Sequence, residues 1–280
     1  MKVDLHIHST ASDGRLTPED VVRLAAKNGL SVIAITDHDS VDGIAVALAA
    51  AESSPSLRVI SGVEINTDIP NGEVHILGYF VDYKNEELKH ALKALRHSRE
   101  IRARKMIAKL GELGMEVAWQ RVRELAGGGS VGRPHIAQAM LEQGYIPSLQ
   151  EAFTKYIGRN GPAYAERERL SPEEAVKLVV RAGGLPVLAH PADTNDLEKL
   201  VVRLKEVGLV GLEAYYDGYG RKTTQRLVQL ANKYGLLTSG GSDFHGLGGD
   251  ETPIGGIDVP WDCARRLIAV AEQREKVVTR

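Results

Sequence analysis

The sequence has a single cysteine, Cys263, which excludes an internal disulfide bond and indicates a reducing compartment. It also lacks any apolar run that approaches the roughly 18–20 residues of a membrane-spanning helix. The net charge is only −2, which gives no overall attraction to nucleic acid or to a membrane surface. A strand is predicted to begin at Lys2, which leaves no room for a secretory signal. These absences predict a cytoplasmic protein that has no membrane partner and no evident obligate protein partner.

The composition is otherwise that of an ordinary globular protein. The chain has 280 residues, of which 43% are hydrophobic and 26% are charged. These proportions are typical of a chain that folds around an apolar core. The length suffices for one barrel-sized domain or for two smaller domains.

The opening segment combines a short strand with a polar loop. Between positions 2 and 8 apolar residues alternate with polar ones, which is the period-2 pattern of a strand with two different faces. The alternation puts His6 and His8 on one face, and Asp13, followed by the turn residue Gly14, can fold back towards them. Imidazole is the commonest side-chain metal ligand, so the segment predicts a metal site. The alternative is a solvent-facing edge strand with two incidental histidines.

The chain then alternates predicted strands with predicted helices. Helices are predicted to start at Thr17-Pro18 and at Ser171-Pro172, where a capping side chain precedes a proline in the first turn. The further strands are predicted at 31–35, 57–65, 74–81, 185–189, 210–215 and 236–239. This alternation indicates an α/β fold with a parallel sheet or barrel, in which functional groups gather at the carboxyl ends of the strands.

A helical insertion interrupts the alternation. No strand is predicted from 84 to 163, where the pattern instead favours a long helix followed by shorter ones. We therefore predict a barrel formed by 1–84 and 164–280 and an inserted helical domain at 85–163. Because insertions in α/β barrels follow strand ends, and this one follows the strand that carries His75, we expect it to cover the site as a lid.

The insertion is locally basic in a chain that is acidic overall. From Arg96 to Arg133 there are nine Lys or Arg residues and four Asp or Glu residues. A guanidinium matches a phosphate group in a bidentate fork, so Arg133 is the predicted phosphate anchor. His135, at the start of the same helix, is predicted to contact substrate. His90 and His97 also lie in the insertion and are predicted to be surface groups.

Nine polar residues stand at or near strand ends and share the chemistry of metal ligands. They are His6, His8, Asp13, His38, Glu64, His75, His190, Asp243 and His245. Six of the nine histidines in the chain belong to this set, and each follows or ends an apolar run. One shared site at the mouth of a barrel explains these placements better than six coincidences. Such a site could hold two or three divalent ions.

The motifs around these residues resemble those of the PHP superfamily of metal-dependent phosphoesterases. The matching motifs are Asp4-Leu5-His6-Ile7-His8-Ser9, Thr36-Asp37-His38, Gly62-Val63-Glu64, His75, Leu188-Ala189-His190-Pro191 and Ser242-Asp243-Phe244-His245. The resemblance covers nearly the whole chain. It implies a distorted seven-stranded (β/α) barrel of the TIM-like PHP fold with a trinuclear metal centre.

The resemblance also implies how the ligands are divided among the ions. The first ion would take His6, His8, Glu64 and Asp243; the second would share Glu64 and add His75 and His190; the third would take Asp13, His38 and His245. Glu64, Asp243 and His190 are the implied catalytic groups. Mixed imidazole and carboxylate ligands suit Mn²⁺, Zn²⁺ or Fe²⁺ better than Ca²⁺, and the resemblance favours Mn²⁺.

The insertion with Gly132-Arg133-Pro134-His135 is similar to that of the TrpH/YciV-type branch. That branch implies a nucleotide or short RNA substrate, either a 3′,5′-nucleoside bisphosphate such as pAp or a short 5′-phosphorylated RNA oligonucleotide.

Two divalent ions a few ångströms apart can acidify a water molecule to hydroxide at neutral pH, and this hydroxide would attack phosphorus in line.

Three alternatives stay open at this point. A small-metabolite phosphatase of the histidinol-phosphate type would use the same metals but would not need a basic insertion. A metal-dependent amidohydrolase also uses His-x-His motifs, but that class usually wants a bridging carboxylated lysine, and Lys2 stands at the wrong end of its strand. A non-catalytic nucleic-acid-binding module is disfavoured by the complete set of ligands.

Overall fold

The computed structural model describes residues 1–69, 72–127, 129–166 and 170–278. The chain forms two compact units. The first combines Met1–His90 with Leu170–Arg280, and the second is the intervening segment Ala91–Arg169.

Seven strands of the first unit form one sheet whose order in space is their order in sequence. They are β1 (Lys2–Ile7), β2 (Leu30–Ile35), β3 (Arg58–Ile69), β4 (Gly72–Tyr79), β5 (Leu185–Ala189), β6 (Gly211–Tyr216) and β7 (Leu237–Gly241). The end of β1 is hydrogen-bonded to the segment that follows β7. The backbone N–H of His8 donates to the carbonyl of Phe244 at 2.9 Å, and that of Asp243 donates to the carbonyl of His6 at 2.9 Å, so the first and last strands of the sheet meet. The result is a nearly closed barrel, which confirms the predicted fold class.

One strand, β4, runs antiparallel to both of its neighbours, whereas the other pairs are parallel. His75, near the start of β4, therefore pairs with Ala189 at the carboxyl end of β5. At its other end, Tyr79 pairs with Leu185 at the start of β5. The chain thus leaves β4 at the end opposite His75, and the reason given for a lid, that the insertion follows a strand end at the ligand edge, was wrong. The lid role itself stays a prediction.

Ten helices accompany the strands in the described parts of the chain. They are α1 (Pro18–Lys27), α2 (Ile44–Ala51), α3 (Glu86–Glu112), α4 (Trp119–Leu125), α5 (Arg133–Glu142), α6 (Leu149–Glu151), α7 (Pro172–Arg181), α8 (Leu197–Glu206), α9 (Arg221–Lys233) and α10 (Trp261–Val278). Both predicted helix starts are confirmed, because the Thr17 hydroxyl accepts from the backbone N–H of Asp20 at 3.2 Å and the Ser171 hydroxyl accepts from that of Glu174 at 3.3 Å. Over the residues described, no helix is long and apolar enough to span a bilayer.

The barrel and its helices are held together by apolar packing. Val21, Val22 and Ala25 of α1 lie in one buried cluster with Ile33 and Ile35 of β2. Burying a side chain of the size of valine or isoleucine contributes about 1.5–3 kcal/mol. Ala264 and Leu267 of α10 likewise lie in a buried cluster with Val3 and Leu5 of β1, so apolar side chains hold both helices against the strands.

The regular secondary structure described in the second unit is entirely helical, and the unit has an apolar core of its own. Met106 and Leu110 of α3 pack in this core with Val122 of α4 and with Ile136 and Met140 of α5. Helix α3 starts in the first unit and continues into the second, so the unit boundaries fall at 91 and 169 rather than at 85 and 163.

Candidate metal centre

The structure brings all nine predicted ligands into one connected cluster in the first unit. His6 lies on β1, Glu64 on β3 and His75 on β4. The others follow directly on strands or lie in the loops after them: His8, Asp13, His38, His190, Asp243 and His245. Most of the cluster therefore comes from residues at strand ends or in the loops that follow them, whereas Glu64 lies inside β3. The ligand role of each residue stays a prediction.

Glu64 is the centre of the cluster and is fully buried. Its Oε1 lies 2.7 Å from Nδ1 of His75 and 3.1 Å from Nε2 of His190. Its Oε2 lies within 3.3 Å of three further imidazole nitrogens, 2.9 Å from Nδ1 of His38, 3.2 Å from Nε2 of His6 and 3.3 Å from Nε2 of His8. Five imidazoles from four segments thus point at one carboxylate, which is the arrangement expected of a bridging ligand.

Asp243 is a second carboxylate that faces imidazole nitrogens of the cluster. Its Oδ1 lies 2.8 Å from Nε2 of His8 and 3.2 Å from Nε2 of His6. Its Oδ2 accepts a hydrogen bond of 2.8 Å from the hydroxyl of Tyr216. The phenol therefore fixes which oxygen faces the imidazoles.

Asp13 is the third carboxylate of the cluster, and it lies near the three histidines His8, His38 and His245. Its Oδ1 lies 3.5 Å from Nε2 of His245 and 3.7 Å from Nδ1 of His8, and its Oδ2 lies 3.9 Å from Nε2 of His38. These distances are longer than those around Glu64, and they leave room for an ion between the groups.

Among the residues that the structure describes, three groups of side chains offer ligand atoms close enough together to hold an ion. They are His6, His8, Glu64 and Asp243; His38, Glu64 and His75; and His8, Asp13, His38 and His245. The first is the set implied by the family resemblance. The other two groups differ from the implied sets. In the second group His38 rather than His190 joins Glu64 and His75, and the third group contains His8 in addition to Asp13, His38 and His245. A neutral imidazole has one lone pair, so His8 can serve only one of its two groups.

The residues fit divalent metal ions. Seven buried nitrogen and oxygen atoms of the cluster have no hydrogen-bond partner, and they are Nε2 of His6, both ring nitrogens of His8, Nδ1 of His38, Oδ1 of Asp13, Oε2 of Glu64 and Oδ1 of Asp243. Leaving buried polar and charged atoms unpaired is expensive. Cations placed among them would satisfy these atoms, and the mixture of imidazole and carboxylate donors suits Mn²⁺, Zn²⁺ or Fe²⁺.

The electrostatics of the cluster keep its carboxylates charged. Burial raises the pKa of Glu64, but the imidazoles of His38, His6 and His75 outweigh burial and hold that pKa well below its usual range. Burial lowers the pKa of His8, whereas the nearby carboxylates of Asp243 and Glu64 more than compensate and raise it to about 10. A metal ion that binds His8 must therefore displace a proton from it.

Two of the predicted ligands have a backbone conformation that is rare for their residue type. His190 has φ 27° and Asp243 has φ 54°, both in the left-handed region. Residues other than glycine persist there when the surrounding contacts determine their position, and such residues concentrate at functional sites. In this conformation the side chain of His190 faces Glu64, and the side chain of Asp243 faces His8.

Sequence reasoning missed three buried carboxylates that hold the cluster in place. Asp37 accepts hydrogen bonds from the backbone N–H and hydroxyl of Ser9, at 2.7 and 2.8 Å, and so anchors the loop that carries Asp13. Asp4 accepts from the backbone N–H and hydroxyl of Ser242, at 3.0 and 2.7 Å, next to Asp243. Both residues stand inside motifs that were singled out for their histidines, and that proximity was the available signal.

The third missed carboxylate is Glu213, which is fully buried on β6. It contacts the side chain of His6 and the backbone of His190. Its only signal in the sequence is a charge in an otherwise apolar predicted strand.

Arg133 and His135, the predicted substrate contacts, belong to the second unit. His135 is buried, and its Nδ1 accepts a 3.0 Å hydrogen bond from the backbone N–H of Gly132 at the start of α5. The guanidinium of Arg133 lies 5.8 Å from the centre of the Phe153 ring. His90 and His97 are exposed, as expected of surface groups.

Replacing Asp13 by alanine is expected to remove about one metal ion per chain, because Asp13 is the only carboxylate of its three-histidine group. Elemental analysis of the purified protein measures this stoichiometry, and Asp20→Ala on the exposed side of α1 is the control. An unchanged metal count in Asp13→Ala would return Asp13 to the role of a turn residue beside Gly14.

Comparison with known proteins adds a family and an activity to this geometry. The family model described as the PHP domain matches residues 4–156. The chain is 32% identical over 267 residues to a 3′,5′-nucleoside bisphosphate phosphatase of Chromobacterium violaceum, covering 93% of each chain. It is 34% identical over 248 residues to a 5′-3′ exoribonuclease of Haemophilus influenzae, covering 87% of this chain and 90% of the other. A solved structure from Bifidobacterium adolescentis, whose description proposes a metal-dependent phosphoesterase, is 30% identical with a TM-score of 0.87 and 95% of each chain covered.

Proposed function

This chain belongs to the PHP domain family and is a metal-dependent phosphoesterase, and we propose that its substrates are 3′,5′-nucleoside bisphosphates such as pAp and short 5′-phosphorylated RNA. The observation that carries the proposal is the convergence of five imidazoles on Glu64, which is suited to a centre of two or three ions. The choice of substrates rests on the relatives named as a bisphosphate phosphatase and an exoribonuclease.

Divalent ions in this cluster, for which Mn²⁺ is the favoured choice, would activate water and neutralise the charge of the phosphoryl group. We assign Glu64 as the bridging ligand, since both of its oxygens face imidazoles. Asp243 presents Oδ1 to His6 and His8 while Tyr216 holds Oδ2. His190 completes the set from the side of β5, where its Nε2 lies 3.1 Å from Glu64.

The second unit supports a substrate with more than one phosphate. Its basic segment between Arg96 and Arg133 supplies a local positive field, which favours polyanionic substrates over neutral ones. We assign Arg133 and His135, at the start of α5, to substrate binding. The ring of Phe153 restricts the conformations of the Arg133 side chain. This restriction reduces the conformational entropy that the side chain loses when its guanidinium binds a phosphate.

Replacing Arg133 by alanine is expected to lower kcat/KM for pAp by about ten- to a hundredfold, because one charge-assisted phosphate contact contributes roughly 1.5–3 kcal/mol. Hydrolysis of AMP, which lacks the second phosphate, should change much less. Arg266→Ala, at an exposed arginine of α10 outside the basic segment, is the matched control and should leave both substrates unaffected. Equal losses of kcat/KM on pAp and AMP would mean that Arg133 contacts the scissile phosphate or stabilises the fold. No loss on either substrate would mean that Arg133 is a surface residue without a role in binding.

The proposed substrate class is tested by phosphate release from pAp, AMP and histidinol phosphate and by mononucleotide release from a short 5′-phosphorylated RNA, each with Mn²⁺ and with a chelator. We expect pAp or the RNA to be hydrolysed with the highest kcat/KM, and hydrolysis to stop when the metal is removed. A preference for histidinol phosphate would favour the small-metabolite phosphatase instead. Comparable rates on all four substrates would remove the role given to the basic insertion.

A further inference from the structure

Glu213 connects two of the proposed metal ligands from beneath the cluster. Its side chain has no exposed surface, and its two oxygens have different partners. Oε1 lies 3.0 Å from Nδ1 of His6, and Oε2 accepts a 2.7 Å hydrogen bond from the backbone N–H of His190. These partners lie 207 and 23 residues away in sequence, so one carboxylate joins three segments of the barrel.

The first contact determines which nitrogen of His6 can bind a metal. A carboxylate has only acceptor oxygens, so the hydrogen between Glu213 and His6 resides on Nδ1 of the imidazole. The lone pair of the neutral ring then lies on Nε2. That atom is buried, has no hydrogen-bond partner, and lies 3.2 Å from Oε2 of Glu64 and 3.2 Å from Oδ1 of Asp243. Glu213 thereby turns the metal-binding nitrogen of His6 towards the other ligands.

The second contact holds a strained backbone. His190 has φ 27°, a conformation that residues other than glycine seldom adopt and that needs support from its surroundings. The hydrogen bond from its N–H to Glu213 provides support at the strained residue itself. With the backbone held, Nε2 of His190 lies 3.1 Å from Oε1 of Glu64.

We propose that Glu213 is a positioning residue that aligns two metal ligands at once, by fixing the Nδ1–H tautomer of His6 and the backbone of His190. The inference rests on the metal centre of the proposed function. It adds that the affinity for metal depends on a residue that touches no ion itself, and that loss of its carboxylate weakens ligands on both sides of Glu64.

The sharpest test replaces Glu213 by glutamine, which keeps the shape of the side chain. Glu213 faces two donors, whereas an amide has one acceptor oxygen and one NH₂ group that can only donate. Whichever way the amide turns, one contact becomes a donor facing a donor, unless His6 changes to the tautomer that has its hydrogen on Nε2. We therefore expect metal affinity to fall about ten- to a hundredfold, as is usual when a residue that orients a ligand is lost.

Affinity is measured by competition between metal-free protein and a chelator for Mn²⁺ and for Zn²⁺, at a temperature where each variant is fully folded. With Zn²⁺ bound, the ¹⁵N spectrum of the histidine rings reports the tautomer of His6. Wild-type protein should show Nδ1–H, and Glu213→Gln should show the other tautomer or a mixture of the two. Val201→Ala, at a fully buried position of α8, lowers stability without altering the cluster and should leave affinity and spectrum unchanged.

Glu213→Asp provides a second reading if the glutamine variant does not fold. It keeps two acceptor oxygens on a side chain shorter by one methylene, so it can reach only one of its two partners, and an intermediate loss of affinity is expected. Wild-type affinity and an Nδ1–H His6 in either folded variant would overturn the role of Glu213. Absence of metal binding by the wild-type protein would instead overturn the metal centre, so the two failures are distinguishable.

Discussion

Replacing Glu64 by glutamine is expected to lower turnover at least a hundredfold while leaving the fold nearly intact. Both oxygens of Glu64 face imidazole nitrogens, at 2.7 Å on the side of His75 and 2.9 Å on the side of His38. An amide replaces one of these oxygens by an NH₂ group, which cannot bind a cation. Two ion sites weaken together, and removal of a key electrostatic group in an active site typically lowers turnover by 10²–10³.

The measurement pairs kcat with Mn²⁺ on pAp with elemental analysis of the metal content. Glu52→Gln, an exposed position after α2, is the matched control and should behave as wild type. Thermal unfolding monitors the fold in each variant. Near-wild-type turnover with full metal content in Glu64→Gln would contradict the assignment of Glu64 as a bridge between two ions.

Asp243→Asn is expected to produce a loss of similar size, about a hundredfold or more in turnover. If the amide oxygen of the new side chain accepts from Tyr216, its NH₂ group faces Nε2 of His8 and Nε2 of His6, where Oδ1 of the carboxylate stood. If the amide turns the other way, the Tyr216 hydroxyl loses its acceptor. Neither orientation restores both contacts, and kcat and metal content should fall together.

Tyr216→Phe separates the two contacts of Asp243. It removes the hydrogen bond to Oδ2 and leaves the carboxylate in place. A single hydrogen bond contributes roughly 0.5–1.5 kcal/mol, which corresponds to about a two- to tenfold effect. A loss in Tyr216→Phe as large as that in Asp243→Asn would mean that the phenol itself, rather than Oδ1 of Asp243, has the main role in turnover.

Local periodicity was sufficient to locate the strands. All seven were predicted within a few residues of their observed bounds, because alternating or β-branched apolar runs identify a strand without knowledge of its partners. The direction of β4 was not predicted, although a signal was present. Only eight residues lie between Ile65 and Val74, whereas a parallel connection needs a dozen residues or more. The short separation favours the antiparallel hairpin that the structure contains.

The positions of most candidate ligands could be predicted because they stand at strand ends, and the ends of neighbouring strands meet in a barrel; Glu64, which lies inside β3, is the exception. Which imidazoles share a carboxylate could not. The predicted partners His75 and His190 both lie near Oε1 of Glu64, but His38, which was predicted to serve another ion, lies 2.9 Å from Oε2 of the same carboxylate. That difference depends on ångström-scale packing between loops, which no pattern along the chain records.

The sequence by itself determined the strands, the insertion, the family and the imidazole-rich chemistry of the site, because each of these depends on residues that are neighbours along the chain or on recognisable motifs. Only the tertiary structure decided the direction of β4, the distances among the candidate ligands and the contacts of Glu213. The physical reason is that a buried carboxylate is defined by its donors. For Glu213 these are a ring nitrogen 207 residues away and an amide 23 residues away, which become neighbours only when the barrel closes.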